Sequence, residues 1–433
     1  MGTRKISILV WITLLLLFIV SISCQLPFTQ KNKSIMTLQQ QSGTQMLITN
    51  TQLNLPSSIS PSNVVQTPFS LPTITRFSSN TLPRLKEQGL ENSGSINENP
   101  FVSLFPELSR SQTPPWLVEG LRLLYDVKSA TLPDVVGQKS TSGAGLVQFD
   151  IVAIEPDRVV ASSKLYLDIT LYKNYHPSII VPVYGHPGAG DYWIHPNALI
   201  NAEKVATKEL VVVRMPSQVG GVMYQAVRFQ YQSGNAKYVW MFDEKSGLLI
   251  YYSHEILMND GSRNSAIVSF IGQRKLAIPW TTASLPAGIN VNQTTNFSGG
   301  YSVTPLNTPP TTLPFSIIVQ ISQVGKRYVE YKLIPSSGDL PGLRVTGINQ
   351  LFDRMWLPIN VLNTLSDGQV IDKDPYINNN VIVSKRPGMV LLIETGSNYK
   401  TWMGYDSITG KLVYTRQDLE SNVVKTSLEL QSK

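Results

Sequence analysis

The fold is decided by the stretch WMFDEKSGLLIY at residues 240–251, in which two apolar runs flank a short polar centre. This order of residues is typical of a β-hairpin, two strands joined by a tight turn. Asp243 can accept hydrogen bonds from backbone N–H groups of the turn, and Gly247 can supply the positive φ that a bulged hairpin requires. The stretch therefore predicts a hairpin tip, and a catalytic acid at Asp243 is the less favoured alternative.

A second stretch, WMGYDSITGKLVY at residues 402–414, repeats the order of apolar residues, Asp, Gly and apolar residues. Pro196 precedes Asp243 by 47 positions, and Pro358 precedes Asp406 by 48 (243 − 196 and 406 − 358). Two pairs of residues at matched spacing indicate two copies of one module.

Runs of β-branched and aromatic residues continue on both sides of these stretches. Residues 164–171, for example, alternate apolar and polar side chains with period two, which is typical of a strand. We expect a mainly β fold, with two related modules of curved antiparallel sheet and short helices, after a disordered tether. The predicted ranges are 114–285 for the first module, 286–299 for a linker and 300–433 for the second module, with helices at 196–206 and 358–365.

The N-terminus has the three parts of a secretory signal. Arg4 and Lys5 come first, an apolar run at residues 8–20 follows, and small residues lead to Cys24. The apolar run is short for a membrane span, although an uncleaved N-terminal anchor remains the alternative. Behind a signal peptide at 1–23, residues 24–113 are rich in Ser, Thr, Asn, Gln and Pro, which predicts a disordered tether.

The residues Val20-Ser21-Ile22-Ser23-Cys24 resemble the lipobox of bacterial lipoproteins, with Ser21 where that family usually has Leu. The resemblance implies that the mature chain begins at Cys24 and is held to the cell membrane or outer membrane by acyl chains on that residue, facing the periplasm or the exterior. Cys24 is the only cysteine, so intrachain disulfides and zinc sites built from several thiolates are excluded.

Two further segments, PPWLVEGLRLLY at 114–125 and GAGDYWIHP at 188–196, resemble a group of uncharacterised exported bacterial and archaeal proteins. That resemblance brings no activity. Curved antiparallel sheets on a lipoprotein are also distantly similar to the lipid-carrier fold of lipoprotein-sorting factors, which is an analogy of fold and location alone. The formal charge of +7 is modest for 433 residues and forms no dense basic stripe, so we expect no nucleic-acid partner.

The residues that could carry chemistry are few. His186, Asp191 and His195 lie in one Gly/Pro-rich loop and form a conceivable metal site. A structural loop is favoured, because no zincin motif is present and the second module has no equivalent histidines. No nucleotide-binding loop and no G-x-S-x-G elbow occurs. We therefore expect no catalytic residue, no resident metal and no cofactor.

Aromatic residues offer the best candidates for ligand contact. Trp193 and Trp356 each lie at the mouth of a loop shortly before a proline, and Tyr192 precedes Trp193, although core packing is the favoured role of most aromatics here. The predicted function is a non-enzymatic, membrane-anchored envelope lipoprotein that binds or carries an apolar or amphiphilic ligand or supports envelope assembly. The alternatives are a surface module that binds a glycan or protein, and an envelope hydrolase.

Overall fold

The computed structural model describes residues 105, 107, 111–132, 140–168, 175–258, 261–281, 283–336 and 342–432. The signal peptide, the lipid-attachment residue Cys24 and most of the predicted tether lie outside these residues. Within the described part of the chain, no helix is long and apolar enough to cross a membrane.

The first half of the described chain is built almost entirely from strands. They are β1 (Leu121–Leu132), β2 (Thr141–Ile154), β3 (Val159–Asp168), β4 (Tyr175–Gly185), β5 (Ala189–Gly190), β6 (Trp193–Ile194), β7 (Leu210–Val219), β8 (Val222–Ser233), β9 (Ala236–Asp243), β10 (Leu249–Leu257) and β11 (Arg263–Lys275). A short helix, α1 (Pro196–Leu199), and a 3-10 helix at Ala202–Val205 lie between β6 and β7.

The second half has the same character. Its strands are β12 (Thr294–Pro305), β13 (Thr311–Val324), β14 (Tyr328–Pro335), β15 (Leu343–Gly347), β16 (Val370–Asp374), β17 (Asn379–Arg386), β18 (Met389–Thr395), β19 (Tyr399–Asp406), β20 (Leu412–Glu420) and β21 (Val424–Ser432). Helix α2 (Ile359–Thr364) lies between β15 and β16. The strand β12 begins at Thr294, inside the range 286–299 predicted as a linker.

The strands form two large antiparallel sheets. The first sheet has nine strands in the order β4-β3-β2-β1-β11-β10-β9-β8-β7, and the second has ten in the order β15-β14-β13-β12-β21-β20-β19-β18-β17-β16. Strands β5 and β6 form a separate pair. The prediction of a mainly β fold with short helices is therefore confirmed.

Each sheet has its own hydrophobic core on one face. The first core combines aliphatic side chains with many aromatic ones, among them Tyr125, Phe149, Phe229 and Phe242. Phe105, which falls within the predicted tether, joins this core and its ring lies edge-on to Phe229 at 6.2 Å. The second core contains Trp280, Leu351, Leu357, Val381, Leu392 and Tyr405. Each half of the chain therefore buries its own apolar side chains, as stable packing requires.

The opposite face of the first sheet is covered by the second sheet along β1, β2 and β3. Arg122, Gln148 and Lys164 project from that face, and all three are buried. Both edge strands of the second sheet reach this face, because β15 lies against β2, β3 and β4 while β16 is bound by Arg122. The two sheets thus meet through buried charged side chains and through two small apolar clusters.

The two predicted hairpin tips have the same geometry. Gly247 has a φ of 72° and Gly410 a φ of 70°, and a register shift follows each turn. Asp243 accepts hydrogen bonds from the backbone N–H and hydroxyl of Ser246, as Asp406 does from those of Thr409. The turn interpretation of both stretches is confirmed.

The structure changes one detail of how the two stretches align. Trp193 pairs with Leu248 and Trp356 pairs with Lys411 in isolated β-bridges, so each tryptophan meets the residue that follows the turn glycine. Helices α1 and α2 then begin after His195 and Pro358 respectively. Pro358 is therefore equivalent to His195, and the alignment of Pro358 with Pro196 was wrong by one residue.

Candidate functional site

A buried network of charges joins the first sheet to strand β16 of the second. Arg122, 2% exposed, binds Asp150 through two hydrogen bonds of 2.7 and 2.9 Å. Its remaining nitrogen lies 3.2 Å from Asp374. Arg274 binds Asp372 through two bonds of 2.7 and 2.6 Å and lies 2.9 Å from Asp374. Two guanidinium groups of the first sheet therefore bind two carboxylates of β16 across the contact, and Arg122 also binds Asp150 of its own sheet.

The charges in this network fix one another in the ionised state. Burial alone raises the pKa of Asp374, but the charge of Arg122 and the hydrogen bond from Arg274 outweigh burial, and the pKa lies below its usual value. Burial lowers the pKa of Arg122, but Asp150, Asp372 and Tyr166 together raise it by more, so that the guanidinium stays charged. The network is a set of permanent ion pairs at neutral pH.

A second cluster lies at Glu394, which is 1% exposed. One carboxylate oxygen is 3.0 Å from the ammonium group of Lys164. The other accepts hydrogen bonds from Tyr166 at 3.0 Å, Tyr399 at 2.9 Å and Asn379 at 2.5 Å. Lys164 and Tyr166 belong to β3 of the first sheet, so this cluster also joins the two sheets.

One further acid lies close to this cluster. Burial raises the pKa of Asp353, although the positive charges of Lys164 and Arg344 oppose the change. Asp353 has a φ of 59°, a conformation that non-glycine residues rarely adopt, and its carbonyl oxygen accepts a hydrogen bond from Tyr331. The contact between the sheets thus holds carboxyl groups whose pKa values are shifted in opposite directions, downward for Asp374 and upward for Asp353.

The aromatic residues predicted to contact a ligand are buried. Trp193 is 1% exposed, and its indole N–H donates to the carbonyl oxygen of Pro187 at 3.2 Å. The ring of Tyr192 packs on Phe149 with centroids 4.1 Å apart. Trp356 is 5% exposed, and its indole nitrogen has no hydrogen-bond partner among the described residues. Ligand contact by Tyr192, Trp193 and Trp356 stays a prediction.

The histidines of the alternative metal site make local contacts with the backbone of their own loop. The Nδ1 atom of His195 accepts a hydrogen bond from the backbone N–H of Asn197 and so caps helix α1. His186 pairs with Ala189 through an isolated bridge, and burial raises the pKa of Asp191 to about 8. In the described ranges, no group of three or more His, Cys, Asp or Glu residues is placed to hold a metal ion.

Sequence reasoning did not single out the residues of the buried network. No local motif marks Arg122, which lies within the segment 114–125, or Asp372 and Asp374. One signal was present at Glu394, which directly follows the four apolar residues 390–393 of a strand. A charge in so apolar a run is rarely buried without a partner, and that rule could have pointed to an ion pair.

No protein-family model and no curated protein matches this sequence. Among solved structures, a protein of unknown function of the DUF3598 family from Nostoc punctiforme is 9% identical, covering 72% of this chain and 95% of that one, with a TM-score of 0.13. A candidate outer membrane protein from Bacteroides fragilis is 10% identical over 72% and 96%, with a TM-score of 0.12. A variant of transferrin binding protein B from Haemophilus parasuis is 8% identical over 74% and 78%, with a TM-score of 0.13. At such TM-scores these likenesses carry no argument.

Proposed function

We propose that this chain is a non-enzymatic protein of a bacterial cell envelope, anchored to a membrane through Cys24, whose two joined sheets form a rigid body that binds an envelope component. The observation that carries the non-enzymatic part is the pairing of the buried carboxylates. Each of four buried carboxylates at the contact between the sheets binds a positively charged side chain. Asp150 and Asp374 bind Arg122, Asp372 binds Arg274, and Glu394 binds Lys164.

These pairings suit a structural role better than catalysis. A general acid or base works best when its pKa lies near the operating pH. Arg122 and Arg274 instead keep the pKa of Asp374 below the usual value of an aspartic acid, farther from neutral pH. Glu394 already receives one ammonium group and three hydrogen-bond donors. The charged side chains therefore help two buried apolar clusters to hold the sheets together, which gives a tethered body a fixed surface to present.

The non-enzymatic proposal predicts the behaviour of Glu394→Gln. This variant keeps the shape of the side chain but removes the charge opposite Lys164, so we expect a lower melting temperature than the parent. Neither protein should hydrolyse a panel of ester, amide and glycoside substrates. An activity of the parent that Glu394→Gln abolishes at an unchanged melting temperature would show that the carboxylate is catalytic.

The anchor predicts a specific loss of lipid. Cys24→Ser removes the thiol that the lipobox resemblance identifies as the acylated group, so metabolic labelling with radioactive palmitate should disappear from the chain. Ser21→Leu restores the residue usual at that position and is the matched control, which should keep its label. The proposal fails if Cys24→Ser still incorporates palmitate and stays in the membrane fraction.

A further inference from the structure

The outer face of the second sheet carries a tryptophan between two cations. Trp402 on β19 is half-buried. The ammonium nitrogen of Lys400 and the guanidinium carbon of Arg416 each lie 5.0 Å from the centre of its ring. Lys400 belongs to the same strand, and Arg416 lies directly opposite Trp402 on β20. A large aromatic side chain thus remains in contact with solvent, between Ile393 opposite it on β18 and Arg416 opposite it on β20.

Polar groups around Trp402 are held in place by one another. Arg416 binds Asp418 through two hydrogen bonds of 2.9 Å each, and the hydroxyl of Ser427 donates to Asp418 at 2.7 Å. The hydroxyl of Tyr414 donates to Glu429 at 3.2 Å. We call this surface the Trp402 strip, which comprises Lys400, Trp402, Tyr414, Arg416, Asp418, Ser427 and Glu429.

The neighbouring positions of the same face extend the strip with small polar side chains. Thr395 lies opposite Lys400 on β18, and Ser302 lies opposite Ser427 on β12. The hydroxyl of Ser302 is 2.8 Å from that of Thr312 on β13. Hydroxyl groups, ion pairs and two aromatic rings therefore lie across five neighbouring strands, β18 to β21 and β12, with β13 beside them.

A purely structural role explains part of this arrangement. Cross-strand pairs between an aromatic ring and a cation stabilise sheets, and Arg416 is such a partner for Trp402. Lys400 is different, because its ammonium group has no carboxylate within 4 Å among the described residues, whereas Arg416 has both Asp418 and Glu429. The strip thus offers a cation whose charge is not yet paired, beside an aromatic ring.

We propose that the Trp402 strip binds an acidic polysaccharide. A sugar ring presents an apolar C–H face that can lie on the indole of Trp402, its carboxylate can pair with Lys400, and its hydroxyl groups can bond with the polar groups already held in place. Because Asp418 and Arg416 are ordered before binding, little side-chain entropy is lost. The inference rests on the proposed binding role and is independent of the anchor at Cys24.

The test is affinity electrophoresis of the detergent-purified full chain through gels that contain alginate, a polymer of uronic acids. Parallel gels contain neutral dextran, which has hydroxyl groups but no carboxylates. We expect alginate to retard the parent and dextran to leave its mobility unchanged. Trp402→Ala should weaken the apparent affinity for alginate by about tenfold, which is the scale of one aromatic contact.

Two lysine variants separate specific binding from simple attraction of charge. Lys400→Gln should weaken alginate binding, whereas Lys332→Gln, which removes an exposed lysine from β14 of the same sheet, should not. Melting temperatures of all variants show whether each is folded, and Lys400→Gln keeps the test open if Trp402→Ala unfolds. The proposal is overturned if alginate fails to retard the parent, if dextran retards it equally, or if the two lysine variants behave alike.

Discussion

Replacing Arg122 with methionine is expected to lower the free energy of unfolding by about 3–5 kcal/mol, the usual effect of removing one member of a buried ion-pair cluster. Methionine fills a similar volume but leaves Asp150 and Asp374 without their shared cation. An ionised carboxylate without a partner raises the free energy of the folded state more when it is buried than when it is exposed to water. The matched control is Arg263→Met, because Arg263 pairs with Glu255 at the surface and such pairs contribute about 0–1 kcal/mol.

Denaturant unfolding of the parent and both variants measures this difference. Adding Asp150→Asn to Arg122→Met should recover part of the lost stability, because the uncompensated charge is then removed as well. If Arg122→Met is no more harmful than Arg263→Met, the network does not hold the sheets together and the rigid-body argument fails.

The same variant should change the response to acid. A carboxyl group with a lowered pKa in the folded state contributes stability above its unfolded-state pKa, and that stability is lost as the pH falls through the folded-state value. Asp374 is such a group, and its lowered pKa depends on Arg122. Without Arg122, burial acts against the anion with less opposition, so the midpoint of acid unfolding should move to a higher pH.

The elements that could be predicted from the sequence are those that local chemistry determines. Each hairpin tip is specified by an Asp and a Gly four positions apart and by the apolar residues beside them, so no distant contact was needed. The alternation at 164–168 likewise identified part of β3, and residues 169–171 of the same pattern lie outside the described residues. Alternation alone indicates a half-buried strand, however, and the structure buries Lys164 and Tyr166 on the polar face.

The network between the sheets could not be predicted, because its partners are far apart along the chain. Arg122 and Asp374 are separated by 252 positions, and Lys164 and Glu394 by 230. Their proximity depends on how one sheet packs on the other, and period-two patterns describe only single strands. The aromatic residues present a related limit, because Trp193 beside a loop resembles a ligand contact until the packing of Phe149 and the bond to Pro187 are known.

A large loss of stability is also expected when the turn glycines are replaced, as in Gly247→Ala and Gly410→Ala. Both positions have positive φ, and a Cβ atom there would overlap the carbonyl oxygen of Ile194 or of Leu357. The same two residues also pair with the turn glycines. The backbone N–H of Ile194 donates to the carbonyl oxygen of Gly247 at 2.8 Å, and that of Leu357 donates to the carbonyl oxygen of Gly410 at 2.7 Å. Neither segment can move aside without breaking that pairing.

We expect each replacement to lower the free energy of unfolding by roughly 3 kcal/mol or more, from backbone strain and steric overlap together. Gly388→Ala is the matched control, because Gly388 has a φ of 74° with open space around it, and it should lose only about 1 kcal/mol. Asp243→Asn and Asp406→Asn should be milder, since asparagine can accept the same turn bonds. Equal losses of stability in Gly388→Ala and Gly247→Ala would show that overlap with Ile194 does not matter. A hydrolytic activity of the parent that Asp243→Asn abolishes while the fold stays intact would restore a catalytic role for Asp243.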